Sequence, residues 1–530
     1  MLDIEGPQSS HKRNARFDNN DCQLLFDSAT ERKSSLPSAR YDELLAPATS
    51  KDNDANYNRA SAIYTNFDER FRASKRTYER QYAQMYFSRL MLLKDVMRNR
   101  AQQLWPDIPV CSILEVQENK EVAVIGTVYK NMKLKPSILD EYSKDRGLKA
   151  ALGASNFCSD DDSVVLEDEG ARMVLSIAAA AVATGAGASA SILAARNEPL
   201  NVQELVTGVI VAVRGLHEPG GDFYVSAMCF PGIAPNPHQL PVPASVPENA
   251  PAALGDKYIA LASGFCLGGS KADMLKTQLA FDFLTGNLGS PVEQQLSAQV
   301  VRLVIAGGCI GQLEALAGGG SGGSAAVYNR QVQGVALQPV RDLDLLLAEV
   351  SAGMPVDVMP GAEDPTNVAL PQQPIHRCLL PAAGMHGSIV RATNPHEFEL
   401  DGVRFLGCSG QNIDDMAKYC SIRDRMDLME RSLEYRHLAP TAPDTLTCYP
   451  FHDKDPFILE TSPHVYFLGN QPEFATRLVS RASARSSSSL APGPVVRLVA
   501  VPSFARTGVI VLVNLRTLAC HPVRFDGNLG

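Results

Sequence analysis

The apolar positions of this chain change period along its length, and each change marks a candidate boundary. Residues 1–58 are rich in Ser, Asp, Asn, Lys and Arg, carry no sustained apolar period and read as a disordered tail. A helical period follows from Arg76 to Trp105. Tyr82, Tyr86, Leu90, Leu93 and Met97 recur at spacings of three and four, and Pro106 ends the run. This stripe is expected to pack on the next domain. From Val110 the pattern turns to strands. EVAVIGTVYKNM, ARMVLS, LVTGVIVAVRGL and DFYVSAMCF are rich in β-branched and aromatic residues, and Gly220-Gly221 supplies a hairpin turn between the last two. Short strands with little helix between them predict a small closed barrel, such as an OB-fold, within 59–232.

A proline-rich linker, 233–256, closes that region. Beyond it, apolar strands (YIALASG, VRLVIAGG, VDVMPG) alternate with helical stretches (KADMLKTQLAFDFLTG, PVRDLDLLLAEVSAG). That alternation predicts a layered sheet flanked by helices. The last third returns to strands: EFELDGVRFLGCSG, with Asp401-Gly402 as a hairpin turn, then HVYFLG, VVRLVAVPSF and GVIVLVNLRT. The expected class is α+β, a barrel followed by an α/β domain over 257–530. Three further segments interrupt the pattern: an Ala-rich insertion at 176–198 and flexible loops at 316–327 and 481–493. The first of these loops, LAGGGSGGSAAV, lacks the Gly-Lys-Ser/Thr of a phosphate-binding loop.

Composition narrows the function. The 530 residues suit about three domains. A net charge of -9 argues against strong duplex binding by the chain alone, because affinity for phosphates comes largely from Lys and Arg. Tyr129, Phe223 and Tyr224 are the barrel aromatics that could stack on a single strand. The start of the sequence shows no charged-then-apolar signal, and the Ala, Gly and Ser of 176–195 are too weakly apolar for a membrane span. The 11 cysteines include no CxxC, so they read as reduced, mostly buried thiols.

Four strand ends carry the candidate chemistry. A two-metal phosphoesterase needs acids and histidines at neighbouring strand tips, in the order DxH, GDxxD, GNH[DE] and GHxH, to hold two cations and activate water. This chain has the turns without most ligands. Ser263-Gly264-Phe265-Cys266 puts Gly264 and Cys266 at the DxH positions, and Gly307-Gly308-Cys309-Ile310-Gly311 puts Gly308 and Gly311 at both acids of GDxxD. In Pro360-Gly361-Ala362-Glu363-Asp364, Ala362 and Glu363 replace Asn and His, and Asp364 is retained. In Gly469-Asn470-Gln471-Pro472, Asn470 and Pro472 replace two histidines. Glycine keeps such turns tight and removes carboxylates that would repel one another once the metals were gone. Asp364, before Pro365, reads as a turn residue, and His437 as a single leftover ligand at most. His376, His396, His452 and His464 read as structural or surface groups, and Cys266 as a buried thiol with no base beside it.

The barrel and emptied strand ends resemble the B-subunits of replicative DNA polymerases. NMKLKPSILDEY (131–142), NPHEFELDGVRFLG (394–407), GQNIDDM (410–416), APDTLTCYPFHDKDPFIL (442–459), PHVYFLGNQPEF (463–474) and VNLRTLACHPVRF (513–525) narrow the resemblance to small regulatory subunits of DNA polymerase delta. The resemblance implies an inactivated calcineurin-like phosphoesterase domain, no metal and no cofactor. It implies a nuclear scaffold in replication and repair synthesis. Such subunits hold the catalytic subunit's C-terminal cysteine-rich domain and the accessory subunit that links to the sliding clamp, and meet DNA only through the complex. Tyr449, Phe451, Asp455 and Phe457 are the candidate partner contacts, with domain packing as the other reading of that segment. The alternatives are a metal-dependent phosphodiesterase or nuclease with substituted ligands, and a single-strand-binding barrel.

Overall fold

The computed structural model describes residues 57–73, 79, 81–136, 156–177, 200–218, 221–236, 255–311, 330–480 and 495–526. The tail up to residue 56, nearly all of the Ala-rich insertion, residues 237–254 of the linker and the loops at 316–327 and 481–493 lie outside the described residues.

Helix α1 (Ala83–Leu104) buries Met85, Arg89, Leu93, Met97 and Ala101, each four residues after the last, with Leu90 beside them. The helix therefore starts later than Arg76, because its buried stripe starts only at Met85 and a turn without burial gains little. The stripe also differs from the expected one. Tyr82 is exposed, Tyr86 is half-buried, and a charged Arg89 occupies a core position.

Strands β2 (Val110–Cys111), β3 (Glu121–Asn131), β4 (Ser163–Glu167), β5 (Arg172–Ile177), β6 (Ile210–His217) and β7 (Phe223–Cys229) form one sheet in the order β2-β3-β4-β5-β7-β6. Glu121–Thr127 also pairs antiparallel with Ile210–Leu216, which closes the sheet into a barrel. Strand β4 was not evident in the sequence, because acidic residues flank its short SVVLE core. Val122, Val124, Val128, Leu166, Leu175, Val211 and Phe223 fill the barrel. The opposite face of β3 and β6, with Ala123, Ile125, Ile210 and Ala212, lies under Leu90, Leu93, Met97 and Trp105. Burial on both faces explains the nearly unbroken apolar run of β3.

The second region holds two six-stranded mixed sheets. One has the order β11 (Ile389–Arg391), β10 (Val356–Met359), β9 (Val300–Ala306), β8 (Tyr258–Ala262), β17 (Val509–Asn514) and β18 (Cys520–Arg524). The other runs β1 (Tyr64–Asn66), β12 (His396–Leu400), β13 (Val403–Cys408), β14 (Val465–Gln471), β16 (Val495–Pro502) and β15 (Ala475–Ser480). Their inner faces share one core, in which Ile259, Leu261, Val304 and Val511 meet Phe398, Phe405, Phe467 and Val499. Helices α2 (Met274–Thr285), α3 (Pro291–Gln299) and α4 (Arg330–Gly353) flank the first sheet. Helices α5 (Gln411–Tyr419) and α6 (Arg425–Glu434) flank the second, within an apolar cluster that continues into the barrel.

Strand β1 was also not evident in the sequence. It adds antiparallel to the β12 edge, and the Arg59 guanidinium before it donates to the carbonyls of Leu284, Ser297 and Val300. Asp68, after β1, reaches the centre of the domain. Its Oδ1 lies 2.7 Å from His396 Nδ1, and His396 Nε2 lies 3.2 Å from Asp357 Oδ2. Asp357 pairs with Arg302, whose guanidinium sits 3.7 Å from the centre of the Tyr64 ring.

Candidate functional site

Strands β8, β9 and β10 are parallel neighbours, so their carboxyl ends open at one edge of their sheet. The parallel strands β13, β14 and β16 bring the end of the second sheet to the same place. There Ser263 bridges to Ser503, and Leu267 to Ile310. All four sequence-predicted turns meet at this edge. Gly264 N donates to Gly307 O (2.9 Å), Cys266 N to Gly308 O (2.9 Å), and Asn470 N to Ser263 Oγ (2.8 Å).

Backbone and one carboxamide fill the space between these turns. Gly264, Gly307 and Gly308 have φ of 66°, 74° and 70°, which glycine adopts without strain. Asn470 is also left-handed, at φ 59°, a region that asparagine enters more readily than most residues. A Cβ on Gly264 would stand 2.6 Å from Ser503 Oγ and 2.8 Å from Asn470 Oδ1, and one on Gly308 would collide with that same oxygen. A Cβ on Gly311 would stand 2.6 Å from Cys266 O. The Asn470 carboxamide thus occupies the space between two turns, and its Nδ2 donates to Ser409 O (2.7 Å) and Ala306 O (3.2 Å).

Asp364 does more than shape its own turn. It is buried, and its two oxygens accept from the backbone N–H groups of Gly308, Ile310 and Gly361 at 2.7–2.9 Å and of Cys309 at 3.3 Å. Burial pushes its pKa up, against the pull of these four donors. Ala362, Glu363 and Pro472 are exposed, and Cys266 is half-buried with its thiol pushed up by burial.

Beneath the turns lies an uncharged network that the sequence did not reveal. Gln372 Nε2 donates to Gly361 O, while Gln372 Oε1 accepts from Asn394 and Gln411. Asn394 Oδ1 accepts from Ser409 N. Amides hold the turns in place but cannot serve as the acid, base or anionic ligand of a hydrolytic centre. Among the described residues, no group of three or more His, Cys, Asp or Glu side chains is placed to hold a metal ion.

His437 takes no part in these turns. Its Nδ1 accepts from Ala439 N (3.1 Å), so the proton is on Nε2, which donates to Asp455 Oδ2 at 2.8 Å. Burial, with Arg89 nearby, pushes His437 down to about 4, so it is neutral. Asp455 also takes a 2.8 Å hydrogen bond from Arg89 Nε and is held well below the usual carboxylate range, because His437 and Arg89 outweigh its burial.

Most of the expected partner contacts lie inside this chain. Phe451, Asp455 and Phe457 are buried in the chain's own core, and Tyr449 is half-buried with its ring edge against Phe451. Asp455 binds α1, and Phe457 O accepts from Leu438 N, so this segment packs domains together. In the barrel, Phe223 is fully buried, which leaves Tyr129 exposed and Tyr224 half-buried. His396 and His464 are buried and hydrogen-bonded, in keeping with structural roles. Arg89 is a buried structural tie that the apolar period does not reveal, although a charge in an i, i+4 apolar series is a readable signal of a buried partner.

Comparisons with known proteins place these domains in a class. A family model for the B subunit of DNA polymerases alpha and epsilon matches residues 259–476. One for the OB-fold domain of a DNA polymerase delta subunit matches 81–228. Together they define a polymerase accessory subunit of the B type. The chain is 40% identical over 476 residues to the DNA polymerase delta small subunit of Arabidopsis thaliana, covering 90% of this chain and 98% of that one. It is 29% identical over 495 residues to the DNA polymerase delta small subunit of Saccharomyces cerevisiae, covering 85% and 91%. A shorter match, 27% over 195 residues, is to the DNA polymerase II small subunit of Methanothermobacter thermautotrophicus, covering 36% and 38%. The chain belongs to the family of DNA polymerase delta small subunits.

Proposed function

We propose that this chain is a non-catalytic regulatory and scaffold subunit of the replicative DNA polymerase delta complex. Its second domain is read as a calcineurin-like phosphoesterase fold that has lost its metal ligands. The observation that carries this reading is the contact of Gly264, Gly308 and Asn470, in which backbone and a neutral amide fill the place of paired acids and histidines. Two-metal hydrolysis needs anionic or imidazole ligands on both sides of a reactive water. Asp364, the one acid retained in the four turns, commits both oxygens to backbone donors.

As a scaffold, the chain would hold the C-terminal cysteine-rich domain of the catalytic subunit and the accessory subunit that links to the sliding clamp. It would work in the nucleus, in replication and repair synthesis, and meet DNA through the assembled complex. Buried Arg89, Asp455 and Phe457 support this role by fixing the barrel against the sheet domain, which gives partners one rigid surface.

Co-expression with the C-terminal region of the catalytic subunit from the same organism tests the reading. The expected result is co-elution on size-exclusion chromatography, together with no Mn²⁺-dependent cleavage of bis-p-nitrophenyl phosphate. Separate elution of two folded chains, or metal-dependent turnover abolished by Asp364→Ala, would overturn it.

A further inference from the structure

A second chemical cluster lies at the junction of the barrel with the sheet domain, away from the strand ends. Lys130, on β3, is fully buried at its side chain. Its Nζ donates to Tyr419 O (3.0 Å), to Gln203 O (3.3 Å) and to the Cys158 sulfur (3.6 Å). The counter-charge is Asp162, whose Oδ2 lies 3.7 Å away and accepts from Ser159 N. Asp162 Oδ1 is buried and has no hydrogen-bond partner among the described residues.

The loop that carries Cys158 is fixed against the sheet domain. Phe157 N donates to Lys418 O (2.8 Å), and the Phe157 ring stacks on Tyr419 at 5.5 Å. Asn156 Nδ2 donates to Ala417 O and Cys420 O, while Asn156 Oδ1 accepts from Cys158 N. Lys130 is therefore a charged tie across the junction, and a half-buried thiol touches it.

We propose that Cys158 and Lys130 form an oxidation-sensitive site, in which a peroxide-oxidised Cys158 is captured by the Lys130 amine as a sulfenamide. The chemistry balances with hydrogen peroxide as oxidant. Peroxide oxidises the Cys158 thiol to a sulfenic acid and is itself reduced to water. Lys130 passes its ammonium proton to the Asp162 carboxylate, whose Oδ2 lies 3.7 Å away. The free amine then attacks sulfur, an S–N bond forms, the S–O bond breaks, and a second water leaves. Sulfenic acids condense with a backbone nitrogen to a sulfenamide, and an uncharged amine in contact with the sulfur is a stronger nucleophile than an amide. The product has lost the charge that holds Gln203 O and Tyr419 O, so oxidation loosens the barrel from the sheet domain.

The test is peptide mass spectrometry of the purified full chain after treatment with hydrogen peroxide. The expected product is a linked pair of peptides containing Lys130 and Cys158, two hydrogen masses below their sum. Trypsin should no longer cleave after Lys130, and dithiothreitol should restore both peptides. Cys158→Ser should abolish the link. An unmodified Lys130 beside a Cys158 that is free, sulfinic or disulfide-bonded to Cys420 would overturn the proposal.

Discussion

Arg89 and Asp455 lie 366 positions apart in the chain and meet in a fully buried ion pair, Nε to Oδ2 at 2.8 Å. The remaining donors of Arg89 bind Gly208 O in the barrel region and Pro440 O and Ala442 O in the sheet domain, all within 2.7–2.9 Å. One side chain from α1 thus ties three parts of the chain together. Replacing it removes the charged partner of a buried carboxylate, which keeps only His437 and Phe457 N as donors, and takes the guanidinium from three carbonyls. Arg89→Ala is expected to cost about 3–5 kcal/mol, the usual range for breaking a buried pair from one side. Urea unfolding followed by both fluorescence and circular dichroism measures this loss. An unchanged midpoint would mean that the pair does not fix the domains.

The second expectation concerns pH. Burial alone would push His396 down, but the carboxylates of Asp68 and Asp357 override it and raise its pKa to about 9. The native state therefore holds a proton that the unfolded chain releases near 6.5. The stability contributed is fully present below about pH 6.5 and is lost as pH rises through about 9. His437 and His521 act in the opposite direction. Burial pushes both down to about 4, so their contribution is lost as pH falls from 6.5 towards 4. A urea-unfolding series should show stability declining on both sides of neutrality. His396→Gln should flatten the alkaline limb and leave the acid limb in place.

An acid introduced at Gly308 should not create a metal site. Gly308→Asp would place a Cβ against Asn470 Oδ1 on a residue with φ of 70°. The backbone strain alone costs on the order of 1–3 kcal/mol, before any clash. Thermal unfolding should show a lowered midpoint that Mn²⁺ does not raise. A midpoint recovered on adding Mn²⁺ would show that the turns still form a metal cradle.

Asp364→Asn offers a different contrast. The carboxylate accepts at both oxygens, whereas an amide must turn one NH₂ towards backbone N–H donors. Losing charge-assisted hydrogen bonds of this kind costs about 1.5–3 kcal/mol. The variant should be less stable in urea yet still co-elute with the catalytic subunit's C-terminal region. Unchanged stability would mean that Asp364 does not organise its own turn and the Gly308 turn.

Much of this arrangement could be read from the sequence, and the remainder has a physical reason for being hidden. The apolar runs at Tyr258–Ala262 and Val300–Ala306 are buried on both faces, so their strands and the turns beyond them stood out. The order of the four turns was legible because each follows such a run. The fate of Phe451 and Phe457 was not. An aromatic that anchors a partner and one that anchors the chain's own domains have the same local pattern, and only distant residues distinguish them. Strand β1 was hidden because three half-polar residues form a strand only when the β12 edge is there to receive them. The closure of the strand ends depends on Asn470 Oδ1 meeting Gly264 and Gly308, which are separated from it by more of the chain than any periodic signal spans.

We propose that these strand ends form a closed structural junction that holds no metal. Metal content of the purified chain, measured by mass spectrometry after Mn²⁺ loading and desalting, tests it most directly. No stoichiometric manganese is expected. Two ions retained per chain would contradict it and favour a two-metal hydrolytic site.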